Sequence, residues 1–207
     1  MTCIVAVRTN NKVVLAADRL GAGNGVKQLF KTTKLAKQPC HRVDSEYKKT
    51  KIEIGIGYTT SFRMGDILKS IFVPPDIDNG EDEEEYLITK YVPSLQKCFE
   101  EHGFIKSSNG TKTGGNFLLT INGRIFHIQD DFSVLEPELP FLAVGSGQEF
   151  ALGALYASAV TLTPVEKALL AIQAAGTFST TVSKEAEFIE FSIDKCDGLM
   201  LDLGMAD

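Results

Sequence analysis

The sequence predicts an α+β domain built as a four-layer αββα sandwich, two antiparallel sheets packed face to face with helices on both outer sides. Two observations predict it. Apolar residues alternate along several short segments, as half-buried strands require. These segments fall in the order strands, two helices, strands, two helices, strands, and packing two sheets together with helices outside both uses every apolar face.

The opening segment, CIVAVRTNNKVVLAAD, divides into two apolar runs around Asn10-Asn11, a pair suited to the positive φ angles of a tight hairpin. GAGNGVKQLF then reads as a glycine-rich loop, and KTTKLAKQ as an extended segment carrying lysines. KIEIGIG at 51–57 alternates as a strand, and a helix is expected across 61–72. VPPDIDNG at 73–80 breaks structure, and EDEEEYLITKYVPSLQKCFEEHG starts a second helix. The acidic run Glu81–Glu85 suits the positive end of that helix dipole as a solvated first turn; it lacks the interleaved glycine of a calcium loop.

SSNGTKTGG at 107–115 reads as a loop, and its Asn109-Gly110-Thr111 sequon has no use in a chain of the cytosol. NFLLTINGRIFHIQ is a hairpin turning at Asn122-Gly123. LPFLAV is a strand running through GSG into a helix, and Thr163-Pro164-Val165-Glu166 is a capping box opening the next one. EFIEFSI and GLMLDL complete the strands, and one domain spans residues 1–207.

Composition narrows the function classes. With 21 Lys plus Arg against 27 Asp plus Glu, the net charge is −6 and no basic stripe appears, which argues against nucleic acid. Cys3, Cys40, Cys98 and Cys196 are scattered without zinc-ligand spacing, so neither metal nor cofactor is expected. No basic leader with an apolar stretch behind it and no membrane-length apolar run is present, so the chain reads as cytoplasmic and reduced.

The chemistry turns on Thr2. A residue this small behind the initiator normally permits removal of Met1, leaving a threonine with a free α-amine. A threonine hydroxyl needs a base beside it, and an α-amine with a reference pKa of about 7.7–8 can serve. A nearby lysine would raise the neutral fraction of that amine, and the lysine would need a carboxylate to hold it. The hairpin brings Asp18, at the end of its second run, close to Thr2. Lys27, Lys31 and Lys34 follow, and periodicity does not choose among them.

TCIVAVRTNNKVVLAADRLGAGN resembles the start of the mature proteasome β-subunit and HslV proteases, members of the N-terminal nucleophile hydrolases. That family places its aspartate sixteen residues after the threonine and its lysine sixteen further on, which here gives Asp18 and Lys34 without a gap. LAVGSGQEFALGALYA resembles the family's strand–GSG–helix element, whose serine, here Ser146, orients the terminal amine. KIEIGIGYTTSF resembles the strand and turn that bind the oxyanion, placing the backbone donor within Gly55–Tyr58, with Gly57 the candidate.

Two features depart from the proteasome pattern. Its second aspartate–serine pair, expected around 178–182, is absent; AIQAAGTFSTTV is closer to the HslV version, in which Gly176 and Ser179 would match part of a monovalent-cation site. Cys3 could serve as a nucleophile, but neighbouring strand residues face opposite ways, and the spacing favours Thr2. His41, His102 and His127 have no evident triad partners.

The resemblance implies a threonine-type endopeptidase acting on polypeptides, assembled as a ring-type homo-oligomer, with an ATP-dependent unfoldase as a candidate partner and no role for nucleic acid or membrane. Lys34 is expected to act as a surface-loop lysine that contributes little to packing. The alternative is a non-catalytic structural or assembly subunit with the same fold, which follows if Met1 is retained.

Overall fold

The computed structural model describes residues 2–23, 26–108 and 111–193. Strands β1 (Ile4–Arg8) and β2 (Lys12–Asp18) form the expected hairpin, with Ile4 opposite Ala17 and Arg8 opposite Val13. Its turn differs from expectation: neither Asn10 nor Asn11 takes a positive φ. The turn is instead closed by the Thr9 N–H donating to Lys12 O at 2.9 Å and the Thr9 hydroxyl donating to Asn11 Oδ1 at 2.9 Å.

The glycine-rich segment is not a loop. Its β3 (Leu20–Gly23) and β4 (Val26–Leu29) pair as a small antiparallel ribbon, since glycine weakens pairing without preventing it. Next come β5 (Leu35–Val43), β6 (Lys49–Tyr58) and α1 (Phe62–Ser70), with the Ser61 hydroxyl accepting from Arg63 N at the helix start. The 73–80 segment contributes only the short β7 (Ile77–Asp78), which pairs in parallel with the end of β5.

The second helical stretch is interrupted. α2 (Glu83–Tyr86) leads through a π turn (Leu87–Tyr91) into α3 (Val92–Glu101), and Val92 N donates five residues back to Leu87 O. Pro93 accounts for the wider turn: it has no N–H for the preceding turn, and its ring would crowd the carbonyl four residues back. The acidic run is more than a solvated turn. Asp82 caps α2, while Glu83 meets both Arg42 at 2.9 Å and Arg124 at 3.3 Å.

Composition predicts a loop at 107–115, yet β8 (Lys106–Ser108) pairs with β9 (Thr111–Thr113); Asn109-Gly110 lies outside the described residues. β10 (Phe117–Ile121) and β11 (Arg124–Ile128) turn at Asn122 and Gly123, whose φ angles of 48° and 83° are those the Asn-Gly pair predicts. After β12 (Val134–Leu135) and β13 (Phe141–Val144) come α4 (Gln148–Tyr156) and α5 (Pro164–Phe178). Both halves of the capping box form at Thr163 and Glu166. β14 (Ala186–Ser192) follows, and the GLMLDL segment lies outside the described residues.

Two main sheets result, in strand orders β13-β1-β2-β14 and β12-β11-β10-β6-β5-β7, antiparallel apart from β7. Strand alternation sorts the core into three layers. Ile4, Ala6, Val13 and Leu15 face Leu35, Leu118 and Phe191 between the sheets. Cys3, Val5, Val14 and Ala16 lie with Ala151, Ala171, Ile172 and Ala175 of α4 and α5. Ile54, Ile56, Phe117 and Leu119 lie with Met64, Ile67, Leu95 and Phe99 of α1 and α3 on the far side. The layer order is the αββα sandwich that the sequence predicts. Among the described residues no helix is long and apolar enough to cross a membrane.

Candidate active site

The hairpin register determines where the first acidic group falls. With Ile4 opposite Ala17, the next step brings Asp18 N onto Cys3 O at 3.1 Å, one residue from Thr2. Asp18 is fully buried, and its carboxylate is held by four donors. Oδ1 accepts from Cys3 N at 2.9 Å and from Lys34 Nζ at 2.6 Å. Oδ2 accepts from Leu20 N at 3.0 Å and Ser183 N at 3.2 Å. A buried carboxylate is tolerated only when it is paired and hydrogen-bonded to this extent.

Lys34 just precedes β5, and both ends of its peptide unit are anchored: its N–H donates to Glu187 Oε1 at 3.0 Å and its carbonyl accepts from Tyr58 N at 3.0 Å. Its ammonium donates to Asp18 and to Leu20 O at 2.7 Å, and the residue is only 3% exposed. It is therefore not a surface-loop lysine. Burial pulls its pKa below the usual lysine value, and the Asp18 carboxylate opposes that shift. Lys31, by contrast, is exposed, and Lys27 falls within β4.

Ser146 follows Gly145, whose φ of +97° only glycine adopts readily. A Cβ at Gly145 would also sit 2.3 Å from Thr2 O, so the missing side chain lets the GSG turn close on Thr2. Thr2 N then donates to Ser146 Oγ at 3.1 Å, and Thr2 O accepts from Gly147 N at 3.3 Å. Thr2 is 5% exposed and lines a pocket of about 110 Å³ with Lys34, Tyr58, Thr60 and Phe62. A larger hollow of about 790 Å³, lined by Lys37, Glu53, Asn122 and Phe191 among others, includes none of the candidate residues.

Cys3 turns to the opposite side, into the layer beneath α4 and α5. Burial, assisted by the Asp18 charge and offset in part by Lys34, pushes its thiol up to about 12, where the nucleophilic thiolate is scarce.

Gly57 does not occupy the position expected of an oxyanion donor. Tyr58 N donates toward β5, to Lys34 O, and Thr59 N donates toward β10, to Asn116 O at 3.1 Å. Donors alternate sides along a strand, so the Gly57 N–H points at its β10 partner Leu118, inside the sheet. A Cβ on Gly57 would lie 2.4 Å from Ile4 Cγ2, so this glycine serves the close approach of the two sheets. Beyond the strand end, Ser61 N donates to Thr59 O at 2.6 Å. Thr60 has a φ of 63°, and its N–H donates to no acceptor among the described residues.

The sequence reading missed the segment after α5. Ser183 N reaches Asp18, and the Ser183 hydroxyl accepts from Arg19 N at 3.2 Å. Thr181 Oγ1 lies 2.8 Å from Ser146 Oγ and 2.8 Å from Ser179 Oγ. A run of hydroxyl residues at 179–183 was the available signal, but only the fold reveals its partners. Gly176 packs against the Ser183–Lys184 backbone, and Ser179 is bonded to Thr181 in a chain of hydroxyls. Among the described residues no cluster of three His, Cys, Asp or Glu could hold a metal.

No protein-family model matches the chain, and no curated protein matches its sequence. Solved structures do resemble it. BPH of Thiobacillus denitrificans superposes with a TM-score of 0.69 at 20% identity, covering 93% of this chain and 99% of that one. The same protein in complex with epoxomicin gives a TM-score of 0.64 at 21% identity, covering 92% and 98%. HslV of Trypanosoma brucei gives 0.57 at 17% identity over 92% and 99%, and Anbu of Yersinia bercovieri 0.60 at 14% over 92% and 81%. The chain shares the fold of these proteins.

Proposed function

We propose that the chain is a threonine peptidase of the proteasome/HslV type, with Thr2 as nucleophile once Met1 is removed. The supporting observation is the buried Lys34–Asp18 pair, whose lysine lines the same pocket as Thr2 while Ser146 meets the Thr2 nitrogen. The Thr2 oxygen attacks the scissile carbonyl carbon and the α-amine takes the hydroxyl proton. The resulting ammonium returns that proton to the leaving amine as the C–N bond breaks, leaving an ester on Thr2. Water, deprotonated by the same amine, then hydrolyses the ester. General acid–base work of this kind contributes about 10²–10⁴ in rate.

Lys34 disfavours a second positive charge beside it, which keeps the amine neutral and basic, and Asp18 holds the lysine in place. The Thr60 N–H takes the oxyanion role that the sequence assigned to Gly57, a donor worth about 2.7–4 kcal/mol in a preorganised site. The resemblance adds polypeptide as substrate, a ring-type homo-oligomer and an ATP-dependent unfoldase as partner. A monodisperse monomer in light scattering at micromolar concentration would count against the ring.

The deciding experiment combines intact mass with covalent labelling. Protein lacking Met1 should hydrolyse small hydrophobic peptide amides and gain the mass of epoxomicin at Thr2. Thr2→Ala should lose both activities, and Thr2→Ser should keep part of the hydrolysis. Retained Met1 together with an unmodified Thr2 would overturn the peptidase in favour of the non-catalytic structural subunit.

A further inference from the structure

We infer that Glu187 is a positioning residue: reaching from β14, it takes the Lys34 backbone N–H and fixes the main chain from which the Lys34 ammonium meets Asp18. The consequence for catalysis rests on the peptidase reading, but the measurement at Lys34 does not.

Alternation along β14 sets Glu187 apart. Ile189 and Phe191 face the layer between the sheets, as does Ile193 beyond the strand end, while Phe188 and Glu190 on the other face are exposed. Period-two geometry puts Glu187 in the inward row, where it is half-buried. A carboxylate in an apolar row costs free energy unless it is paired. Its partner belongs to the opposite sheet: Glu187 Oε1 accepts from Lys34 N at 3.0 Å.

Lys34 needs that acceptor because its N–H leaves the β5–β6 ladder. The ladder runs one step past the Leu35–Gly57 pair, where Tyr58 N donates to Lys34 O at 3.0 Å, but the Lys34 N–H turns away to Glu187. On its other edge β5 pairs with β7 at Arg42 and Val43, at the far end of the strand. The carbonyl of the same peptide unit, Thr33 O, accepts from the Tyr58 hydroxyl at 2.8 Å and from Lys69 Nζ at 3.3 Å.

The N–H and C=O of a planar trans peptide point in opposite directions. Partners from β14 on one side, and from β6 and α1 on the other, therefore fix the plane of the Thr33–Lys34 peptide. Glu187 supplies a charge-assisted bond, stronger than a neutral acceptor would give. The Lys34 ammonium makes bonds of 2.6 Å to Asp18 and 2.7 Å to Leu20 O, and bonds this short tolerate little movement of the main chain behind them. The Glu187 charge also joins Asp18 in opposing the burial that lowers the Lys34 pKa.

The test reads Lys34 by NMR in lysine-labelled protein, through its backbone amide and through its ammonium, whose protons give a signal only while buried bonds protect them from exchange. Glu187→Leu keeps the bulk and removes the acceptor. The Lys34 amide proton should move upfield, and the ammonium signal should be lost. Glu187→Gln retains an acceptor oxygen without the charge. It should preserve the ammonium signal and move the amide proton part of the way, which provides the measurement if Glu187→Leu fails to fold. Glu190→Gln, at an exposed residue of the same strand, should change neither signal. In peptide-amide hydrolysis by protein lacking Met1, Glu187→Leu should lower kcat about 10–100-fold with KM near wild type, and Glu187→Gln should restore most of it. Lys34 signals unmoved by both Glu187 variants overturn the inference, whatever the peptidase assays give. A wild-type kcat in Glu187→Leu overturns it as well. Lys34 signals that move as expected, in a protein that cleaves nothing even as wild type, support the positioning and overturn the peptidase.

Discussion

Lys34 Nζ and Asp18 Oδ1 stand 2.6 Å apart, with 4% and 0% of their side chains exposed. The pair is internal, and its two members are not equally dependent on each other. Asp18 also accepts three backbone N–H groups, whereas the ammonium donates to Asp18 and to the Leu20 carbonyl.

Removing one partner of such a pair leaves an uncompensated buried charge. Lys34→Met should therefore lose the proposed activity and also lower stability by about 3–5 kcal/mol in urea unfolding. Lys31→Ala, on an exposed residue, should stay within about 0.5 kcal/mol. Equal losses at the two positions would contradict the assignment of the internal pair to Lys34.

Gly145→Ala would force a side chain to a φ of +97° with its Cβ 2.3 Å from Thr2 O. Backbone strain of this kind costs about 1–3 kcal/mol, and the displaced Thr2 should no longer be labelled. Denaturant midpoints with intact mass after epoxomicin would test both parts. A variant labelled at the wild-type rate would show that the GSG turn does not position Thr2.

Cys3 should resist alkylation. With its thiol at about 12 and no exposed surface, it should stay unmodified by iodoacetamide at pH 8 in folded protein and react after unfolding. Peptide mapping would read the site. Rapid labelling of Cys3 in the native state would reopen its claim as nucleophile.

His127 adds a pH dependence to stability. Its Nε2 lies 2.7 Å from Asn116 Oδ1, and burial lowers its pKa below 6.5, with Asp130 opposing. Below 6.5 the unfolded chain takes up a proton that the folded chain refuses, so unfolding gains as pH falls. The contribution is complete above 6.5 and is lost on descent to the lowered folded value. Urea midpoints at pH 7.5 and 5.5 should thus fall further for wild type than for His127→Gln. Equal falls would show that the imidazole is not responsible.

The sequence was most legible where the interactions were local. Asn122-Gly123 fixed a turn and Thr163 with Glu166 fixed a helix start, because each acts through atoms within a few residues of itself. Asn10-Asn11 misled in detail, since Thr9 side-chain and backbone bonds close that turn without positive φ. The π turn before Pro93 and the β3–β4 ribbon escaped notice for a related reason: propensity describes a residue, whereas these features depend on what the chain pairs with next.

By itself the sequence determined the alternation that sorts Cys3 from Ile4, the hairpin that returns Asp18 beside Thr2, and the layer order. All three follow from period-two geometry and short chain connections. Only the tertiary structure decided which lysine Asp18 holds, that this lysine is buried, that Gly57 directs its N–H into the sheet, and that Thr181 reaches Ser146. Each of those outcomes is a meeting of segments distant in the chain. Its energy comes from desolvation and from donor and acceptor geometry, and neither exists until the sheets and helices have closed around it.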